Sequence, residues 1–579
     1  MPWAVPRPDG MTRPAFMDRV VRKLVQSDLA FALTVSLVWV ILHNARFWLV
    51  ALEAMPQPSA RTVMFIASLI VTLVLLQSML LLLLPRTVLR PAASLLFVAA
   101  ALVAYFSDSY GVYINKDMML NIVETDASEV AGLISPKLFG YLFCLGVLPA
   151  LAVWGVVVAE TRWQQTLRRR GAFAVVGLLV VAVCIGLNSA SYLALFGTHK
   201  ALRFLVNPGA IVYETGFYVS RAASRAAGGG PLMVVAEPDA HRVIPPGSRP
   251  LVMFLVIGET ARAASFQLGG YERATNPQLA KLPNAFYFSQ VTSCGTATAV
   301  SLPCIFSPLG RERFDGHVAK HSANLLDALT QAGVDVEWRD NNSGCKGICA
   351  RVASLQFSGG PYQKSCQAEY CYDDVMLDGI QARLRRLTGD TMIVFHQIGS
   401  HGPAYAQRYP PDFSRFEPVC KSNQLDQCTP DEVRNAYDNS ILYTDHNLGA
   451  LIEVLQAAAD RMDAMLLYVS DHGESLGERG IYLHGMPYAV APRQQIEVPM
   501  LAWLSDGYLG RTRADVDCLR QQAVAPWTHD NVYHTVLGAM GVRDRFYREG
   551  MDMLGRCRRE QNHTTQTGQL GNSRQPDTG

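Results

Sequence analysis

The stretch LVMFLVIGE (residues 251–259) contains eight apolar or small residues without polar alternation and ends in a carboxylate, Glu259. An unbroken apolar run of this length is typical of a strand that is buried on both faces of a parallel sheet. In open α/β sheets, functional sites lie beyond the carboxyl ends of the strands. The stretch therefore predicts an α/β domain with a site beside Glu259.

Three further runs have the character of buried strands: VDVEW (334–338), TMIVFHQIG (391–399) and AMLLYVS (464–470). Helical patterns alternate with them, and a long helix is predicted over 430–459, because Thr429 and Glu432 form a capping box before it. This alternation predicts a mostly parallel central sheet covered by helices on both faces. We expect the domain to run from residue 250 to 558, about the size of one large α/β domain.

Chemically active side chains follow every predicted strand. In chain order they are Glu259 after the first, Asp340, Asn341, Asn342 and then Lys346 after the second, His401 after the third, and Asp471, His472 and then His484 after the fourth. Each of these residues, taken alone, has an ordinary structural explanation: a helix cap, a turn residue, or a histidine whose hydrogen bonds are satisfied within the fold. Carboxylates and imidazoles at several strand ends of one sheet predict a metal site instead, and zinc accepts that mixture of ligands.

The segment SCGTATAVSLPC (293–304) places two threonines, Thr296 and Thr298, between two cysteines in a loop that enters a helix. Free N–H groups at a helix N-terminus stabilise a phosphate, and metal coordination is one way to make a threonine hydroxyl nucleophilic. Basic side chains from the strand ends would then neutralise phosphate oxygens or protonate a leaving oxygen: Lys346, His401 and His484. The alternative is an ordinary capping threonine in a disulfide-tied loop.

The first third of the chain is strongly apolar, as in LIVTLVLLQSMLLLLLP (69–85). A bilayer span takes about 20 apolar residues, and five stretches reach or approach that length: 29–49, 63–84, 91–106, 138–158 and 172–192. The first is interrupted by His43, Asn44 and Arg46. Basic residues precede the first stretch and separate the second from the third and the fourth from the fifth, which predicts that those segments are cytoplasmic. Everything after about residue 195 is then outside.

The predicted organisation has five parts. They are a cytoplasmic N-terminal segment (1–27), a five-span transmembrane domain (28–195), an external amphipathic helix and linker (196–249), an external catalytic domain (250–558) and a disordered tail (559–579). The formal net charge is +2, so the charge gives no indication of a nucleic-acid partner. We expect a monomer that contacts membrane lipids through its first domain.

The chain has twelve cysteines, of which Cys144 and Cys184 lie in apolar stretches. Eight others are close neighbours, and in an oxidising compartment such pairs predict disulfides: Cys294–Cys304, Cys345–Cys349, Cys366–Cys371 and Cys420–Cys428. An alternative for the second and third pairs is a zinc site of four thiolates. The sequence leaves open whether Cys518 and Cys557 pair.

Five motifs together resemble one known family: GETAR, SCGTATAVSLPC, DNNSGCKG, GSHGP and SDHGESLGERGIYLHGMP. They are similar to motifs of the phosphoethanolamine transferases that modify lipid A, which include the mobile colistin-resistance enzymes and belong to the alkaline phosphatase–sulfatase superfamily. The resemblance covers nearly the whole chain apart from both tails. It implies a sulfatase-like α/β domain on a five-helix membrane domain.

The resemblance also implies roles for individual residues. One tightly bound zinc ion is expected on Glu259, Thr298, Asp471 and His472, with Thr298 as the nucleophile, and the number of zinc ions stays open. Positions that match substrate-binding residues or ligands of a second zinc are Asn342, Lys346, His401 and His484.

Three residues before the soluble domain match positions that the family links to the lipid substrate: Asn121, Thr125 and Glu129. Their spacing of i, i+4 and i+8 predicts that they share one face of a helix. Without the resemblance, they would be interpreted as a solvated helix face.

The expected function is transfer of phosphoethanolamine from phosphatidylethanolamine to lipid A through a phosphothreonine-type intermediate. The expected location is the bacterial inner membrane, with several spans and the catalytic domain in the periplasm, and the expected effect is weaker binding of polymyxin. Alternatives are a core-sugar acceptor, a membrane-anchored phosphodiesterase or sulfatase, and a transporter or lipid-binding scaffold. The few charges within the spans argue against a transport path.

Overall fold

The structure is a computed structural model that describes residues 24–55, 59–125, 127–159, 162–226, 240–243, 248–357, 366 and 371–558. Most of the predicted N-terminal segment, much of the predicted linker and all of the predicted tail (559–579) lie outside the described residues. The described residues up to 226 form mainly helices, and those from 248 onward form mixed helix and sheet.

Long apolar helices dominate the first part. Among the described residues, four helices are long and apolar enough to cross a bilayer, and two further helices make a fifth span if they are counted together across a 60° bend. In chain order the helices are α1 (Asp28–Leu42) and α2 (Ala45–Glu53), which form the bent pair, α3 (Ala60–Leu82), α4 (Arg86–Tyr110), α5 (Lys116–Glu124), α6 (Ala127–Leu133), α7 (Pro136–Trp154), α8 (Trp163–Leu187), α9 (Ser189–Thr198) and α10 (Gly209–Ala226). The single spans are α3, α4, α7 and α8, and α4 is longer than the predicted stretch 91–106 because flanking polar residues are also helical.

The 60° bend lies at the polar residues that interrupt the first apolar stretch. Asn44 is buried, and its side-chain amide donates to the carbonyl oxygens of Trp39 and Asn207, both at 2.8 Å. Asn207 in turn donates to the carbonyl oxygens of His43 (3.2 Å) and Ala100 (2.7 Å). Backbone polar groups at membrane depth need such partners, so these bonds stabilise the break and tie it to α4.

The prediction of one continuous helix through Asn121, Thr125 and Glu129 is wrong. α5 ends at Glu124, and Thr125 has an extended backbone with φ of −63° and ψ of 129°. The Thr125 N–H and hydroxyl both donate to the Asn121 carbonyl oxygen, at 2.8 and 2.7 Å, so this β-branched residue closes the helix. The spacing therefore does not place the three side chains on one helix face. The Glu129 side chain lies outside the described residues.

A seven-stranded sheet is the centre of the second part. The strands in chain order are β1 (Leu24–Gln26), β2 (Val156–Val158), β3 (His241–Arg242), β4 (Leu251–Gly258), β5 (Ala285–Phe288), β6 (Gln290–Thr292), β7 (Asp335–Asp340), β8 (Ala353–Gln356), β9 (Thr391–His396), β10 (Asp463–Ser470), β11 (Ser475–Leu476), β12 (Tyr482–Leu483), β13 (Met500–Leu504), β14 (Pro526–Thr528) and β15 (Val542–Arg543). The central sheet has the order β5-β13-β10-β4-β9-β7-β8. β13 is antiparallel to both neighbours and the other pairings are parallel. The predicted mostly parallel sheet is confirmed, and the four predicted strands are β4, β7, β9 and β10.

Both faces of this sheet are buried. Along β4, Met253 and Leu255 join the apolar core on one face, while Val252 and Phe254 join the core on the other. The helices are α11 (Thr298–Ile305), α12 (Gly316–Lys320), α13 (Leu325–Gln331), α14 (Ile380–Arg385), α15 (Pro430–Gln456), α16 (Arg493–Ile496), α17 (Asp506–Thr512), α18 (Val516–Ala523) and α19 (Asp530–Ala539). Residues of α11, α13, α17, α18 and α19 build the first core, and residues of α14 and α15 build the second. Helices on both faces, as predicted, explain why β4 has no polar alternation.

The α/β part is joined to the membrane helices by polar and apolar contacts. The Tyr110 hydroxyl at the end of α4 donates to the Asn423 carbonyl oxygen at 3.2 Å. Ile481 and Met486 are buried in one apolar cluster with residues of α2, α3 and α9. Because Met486 follows His484 by two residues, the loop that carries this predicted site residue is held against the membrane domain.

Candidate metal and nucleophile site

Two neighbouring parallel strands bring the acidic residues together. β4 and β10 pair with Gly258 opposite Ser470, so the residues that follow them, Glu259 and Asp471, come side by side. Thr260 has a φ of 53°, which is rare outside glycine. The turn at Thr260 directs its N–H to Asp471 Oδ1 at 3.2 Å. Strand register therefore explains why residues far apart in the chain meet here.

The Thr298 hydroxyl lies within the group formed by Glu259, Asp471 and His472. Thr298 Oγ1 is 3.0 Å from Glu259 Oε1, 3.1 Å from Oε2 and 3.3 Å from His472 Nε2. His472 Nε2 is 3.2 Å from Glu259 Oε1 and 3.4 Å from Asp471 Oδ2. All four side chains are buried. The structure thus brings the four residues predicted as zinc ligands together: His472 contacts the other three, and the ligand atoms of Glu259, Asp471 and His472 lie within 4.8 Å of one another.

The His472 ring is oriented by the Gly473 backbone. His472 Nδ1 lies 2.9 Å from the Gly473 carbonyl oxygen, which only accepts, so Nδ1 carries a proton and Nε2 faces the carboxylates. Burial lowers the pKa of His472, but the negative charges of Asp471 and Glu259 outweigh burial and raise this pKa to about 10. The two carboxylates therefore require positive charge at Nε2, from an imidazolium proton or from a metal ion.

The donor set fits a divalent cation. Asp471 Oδ2 is buried and lies 3.4 Å from His472 Nε2, but it accepts no hydrogen bond from the residues that the structure describes. That is costly for a carboxylate oxygen unless a cation is near. Ligands of a tetrahedral zinc ion lie about 3.3 Å from one another. The separations of Thr298 Oγ1 from Glu259 and His472, and of His472 Nε2 from Glu259 and Asp471, run from 3.0 to 3.4 Å. Burial, and then the charge of Glu259, raise the pKa of Asp471 to about 7. A bound cation would relieve this repulsion.

Glu259 is oriented by Asn342, which follows β7 and is itself held by residues at the end of β9. Asn342 Nδ2 donates to Glu259 Oε2 at 2.9 Å and to the Gln397 carbonyl oxygen at 2.8 Å. His396 Nε2 lies 3.3 Å from Asn342 Nδ2, and His396 Nδ1 lies 3.0 Å from Asp340 Oδ2. Burial raises the pKa of Asp340, but the charge of His396 and the hydrogen bonds from His396, Trp338 and the Asn342 N–H together lower this pKa to about 2. Predicted residue Asn342 therefore contacts Glu259 directly.

A second group of metal-ligating side chains adjoins the first. His472, Glu474 and His484 offer ligand atoms within 4.8 Å of one another. His484 Nδ1 lies 2.8 Å from Glu474 Oε2, and the Tyr405 hydroxyl donates to Glu474 Oε1 at 2.6 Å. Burial raises the pKa of Glu474 to about 8. The rings of His401 and His484 are 5.5 Å apart, so the structure brings these two predicted residues together beside the first group.

A disulfide holds the loop before the nucleophile candidate. Cys294 and Cys304 are bonded, and the Thr296 hydroxyl donates to the Met486 carbonyl oxygen at 2.6 Å. Thr298 is the first residue of α11. The two threonines of the segment therefore differ: Thr296 fastens the loop, and Thr298 presents its hydroxyl to the acidic group.

Every predicted disulfide is present in the structure. The bonded pairs are Cys294–Cys304, Cys345–Cys349, Cys366–Cys371, Cys420–Cys428 and also Cys518–Cys557, which the sequence left open. Bonded sulfurs are not thiolates, so the alternative of a four-thiolate zinc site is wrong. Cys144 and Cys184 are free thiols.

Lys346 lies at the junction between the Asn342 loop and the membrane domain. Its ammonium donates to Ser343 Oγ at 2.9 Å and to the Glu124 carbonyl oxygen at 3.4 Å. Lys320 forms an ion pair with the Glu124 carboxylate. α5, which ends at Glu124, packs against α11. The predicted basic residue is therefore positioned by both parts of the protein.

Comparisons with known proteins match both parts of the chain. The Sulfatase family model matches residues 252–542, and the model described as Phosphoethanolamine transferase EptA/EptB matches residues 69–223. The phosphoethanolamine transferase EptA of Escherichia coli (strain K12) is 38% identical over 549 residues, which cover 94% of this chain and 99% of that protein. The chain belongs to the phosphoethanolamine transferase family.

Other members of the family are similar in sequence and in structure. Phosphatidylethanolamine transferase Mcr-1 of Escherichia coli is 38% identical over 470 residues, covering 79% of this chain and 84% of that protein. The integral membrane protein lipooligosaccharide phosphoethanolamine transferase A (EptA) from Neisseria meningitidis has a TM-score of 0.87 at 34% identity, covering 93% of this chain and 100% of that chain. The predicted family, fold and multi-pass membrane location are confirmed.

Two buried polar residues of this family member were not singled out from its sequence. Glu474 lies in the motif SDHGES, and its spacing of three residues from Asp471 was an available signal. His529 stands alone in THDN, between regions without a recognised motif. A single histidine of this kind carries no pattern, so only the fold reveals its contacts.

His529 joins the nucleophile loop to the loop that carries the metal-ligand candidates. It is 0% exposed, its Nδ1 accepts from the Cys294 N–H at 3.1 Å, and its Nε2 donates to the Ser470 carbonyl oxygen at 2.9 Å. Burial lowers the pKa of His529 to about 3, so the ring is neutral. His529 therefore fixes the backbone near Thr298 relative to the backbone before Asp471.

We expect His529→Leu to lower kcat of the family's transfer reaction about 100-fold, because a displacement of about 1 Å between reacting groups has that effect. His529→Gln keeps one acceptor and one donor and should recover part of the loss. Steady-state kinetics with melting temperatures, measured for both variants, check this. An unchanged kcat in a destabilised but folded His529→Leu protein would show that the residue serves stability alone.

Proposed function

We propose that the chain transfers phosphoethanolamine from phosphatidylethanolamine to lipid A through a phosphoethanolamine ester of Thr298. The observation that carries the proposal is the buried Thr298 hydroxyl within 3.3 Å of Glu259 and His472, in a sulfatase-like domain joined to membrane helices. The names of the relatives support the transferred group, and the name of the Neisseria meningitidis protein specifies a lipooligosaccharide acceptor.

Zinc belongs to the same proposal. Glu259, Thr298, Asp471 and His472 would hold one tightly bound ion, and Glu474 and His484 are available to a second. When bound, zinc would supply positive charge that lowers the pKa of the threonine hydroxyl and neutralises phosphoryl oxygens. The buried Asp471 Oδ2, which accepts no hydrogen bond from any described residue, supports this assignment.

The proposed reaction has two displacements at phosphorus. In the first, Thr298 Oγ1 bonds to the donor phosphorus and the bond from phosphorus to the glycerol oxygen breaks, so that diacylglycerol leaves. The Thr298 hydroxyl, which donates to Glu259 Oε1 at 3.0 Å, loses its proton to solvent, and His401 or His484 supplies a proton to the departing oxygen. In the second, an acceptor phosphate oxygen bonds to the same phosphorus and gives its proton to that histidine, and Thr298 Oγ1 leaves and regains a proton from solvent.

Other residues would position the substrates. We assign contacts with the phosphoryl group to Asn342, Lys346, His401 and His484, and contacts with the lipid to Asn121, Thr125 and Glu129. The packing of α5 against α11 supports the second assignment, since α5 carries Asn121 and α11 begins with Thr298.

The catalytic domain would face the periplasm. Its disulfides support an oxidising compartment, and the distribution of basic residues supports the same orientation. We propose domain limits of 28–195 for the membrane domain and 250–558 for the catalytic domain, and a monomeric state. Amine groups added to lipid A would weaken its attraction for cationic peptides such as polymyxin.

The test is a reconstitution of the purified protein with fluorescent phosphatidylethanolamine and lipid A. We expect fluorescent diacylglycerol and lipid A that carries phosphoethanolamine on a phosphate, both identified by mass spectrometry. Free phosphoethanolamine without modified lipid A would support the hydrolase instead. Transfer only to substrates with core sugars would change the acceptor, and the absence of diacylglycerol would support a scaffold.

A further inference from the structure

A cavity of about 460 Å³ lies beside the site and is not used by the proposed reaction. Its lining includes Ser293, five residues before Thr298, and Tyr488, four residues after His484. The Tyr488 hydroxyl donates to the Ser293 carbonyl oxygen at 2.9 Å. The loop that carries Thr298 and the loop that carries His484 therefore both continue into the wall of this cavity.

Three arginines line the same cavity: Arg311, Arg313 and Arg548. In the part of the chain that the structure describes, none of their guanidinium groups is paired with a carboxylate. The Arg311 guanidinium lies 3.5 Å from the centre of the Tyr488 ring, a cation–π contact that restricts its orientation. We name this feature the arginine cavity.

Two carboxylates, Asp530 and Glu312, also line the arginine cavity. Asp530 Oδ1 already accepts from the Arg311 N–H at 2.9 Å, and Glu312 is exposed to solvent. His534 is neutral, because burial and then the charge of Arg548 lower its pKa to about 4. Positive charge therefore prevails in the cavity, and guanidinium groups favour anions with several oxygens, such as phosphate.

The arginine cavity is near the membrane domain. Burial raises the pKa of Asp117, and the positive charges of Lys116 and Arg311 oppose that rise. Asp117 lies in α5, which follows the span α4 and packs against α11. An anion bound by these arginines would therefore lie between the nucleophile loop and the membrane domain, where the head group of a lipid is found.

We propose that the arginine cavity binds a second, unreactive phosphate of the acceptor lipid. This inference rests on the proposed function and extends it. The donor has one phosphate, which must lie at Thr298, and no other anionic group. A lipid A acceptor with two phosphates presents one to Thr298 and leaves the other at the far side of its sugars. The volume of the arginine cavity is within the range of about 300–1,000 Å³ that is typical of ligand sites.

The kinetic test compares diphosphorylated and monophosphorylated lipid A with the double variant Arg313→Ala/Arg548→Ala. We expect KM for the diphosphorylated acceptor to rise about tenfold or more, because hydrogen bonds to charged groups are lost. KM for the monophosphorylated acceptor and the acceptor-free release of diacylglycerol should not change. The matched control is Arg385→Ala, an exposed arginine at a different cavity, which should leave all three values unchanged.

Three kinetic results would overturn the inference: an unchanged KM for the diphosphorylated acceptor, an equal rise for both acceptors, or a rise in KM for phosphatidylethanolamine, which would assign the arginines to the donor. A binding measurement separates this inference from the proposed reaction. In Thr298→Ala protein, which should not turn over, adding the two arginine substitutions should weaken Kd for micellar diphosphorylated lipid A by the same factor. Absence of diacylglycerol release by the unmodified protein would refute the reaction but not this binding result.

Discussion

Thr298→Ala is expected to abolish the release of diacylglycerol and the formation of a protein-bound phosphoethanolamine, with a loss of about four orders of magnitude or more in kcat. The Thr298 hydroxyl lies within 3.3 Å of Glu259 and His472, so its removal takes away the proposed attacking atom from the acidic group. In Thr298→Ala, a water molecule would have to take the place of the threonine hydroxyl as the attacking group. The Thr298 side chain is only 8% exposed, so solvent has little access to that position. Fluorescent donor assays and mass spectrometry of the intact protein give the two readouts.

A matched control is available in the same loop. Thr296 is also buried, but its hydroxyl donates to the Met486 carbonyl oxygen. We expect Thr296→Ala to form the phosphoethanolamine adduct more slowly, and Thr298→Ser, which keeps a hydroxyl, to retain measurable transfer. An adduct mapped to Thr296, or normal diacylglycerol release by folded Thr298→Ala, would contradict the nucleophile assignment.

The sequence alone predicted a metal site at the strand ends that carry Glu259, Asp471 and His472, and the family resemblance singled out these three among the other strand-end residues. Their convergence requires only that two long apolar strands be parallel neighbours. β4 and β10 meet this condition, and their register places the residues that follow them side by side. Placing Thr298 at the same site required more information than the strand pattern, since its position depends on how a disulfide-tied loop packs against those strands. Motif resemblance supplied that step, and the hydrogen bonds to Glu259 now give it a geometric basis.

Features that depend on one residue or on tertiary contacts were harder to predict. The helix ends at Thr125, whose extended backbone and hydroxyl bond to the Asn121 carbonyl oxygen are not visible in a spacing of i, i+4 and i+8. His529 has no neighbours in sequence that mark it, and its role follows from two backbone groups contributed by distant loops. The periodicity of apolar residues in a sequence indicates which face of a helix or strand is buried, but it does not indicate single hydrogen bonds between loops.

The second large effect concerns the proposed metal. We expect Asp471→Asn to release the bound zinc and to lower kcat by about three orders of magnitude, comparable to the loss of a strong electrostatic contact in other enzymes. The substitution keeps the size of the side chain but removes the charge of Oδ2, an oxygen that faces His472 Nε2 at 3.4 Å and accepts no hydrogen bond within the described part of the chain. Elemental analysis of the purified protein measures zinc content, and the donor assay measures activity. Asp445→Asn is the matched control, because the Asp445 carboxylate is also buried but is satisfied by the N–H groups of Gln278 and Leu279.

Stability distinguishes a metal site from a structural ion network. With zinc bound, the unmodified protein should melt at a higher temperature than Asp471→Asn, since a ligand that binds only the folded state stabilises it. After chelation, this difference in melting temperature should disappear or reverse. Without the metal ion, the repulsion between Asp471 and Glu259, which contributes to the raised pKa of Asp471, is uncompensated, and the asparagine relieves it. If Asp471→Asn destabilised the chelated protein as much as the zinc-loaded one, the carboxylate would be a structural partner of His472 alone, and the metal assignment would fail.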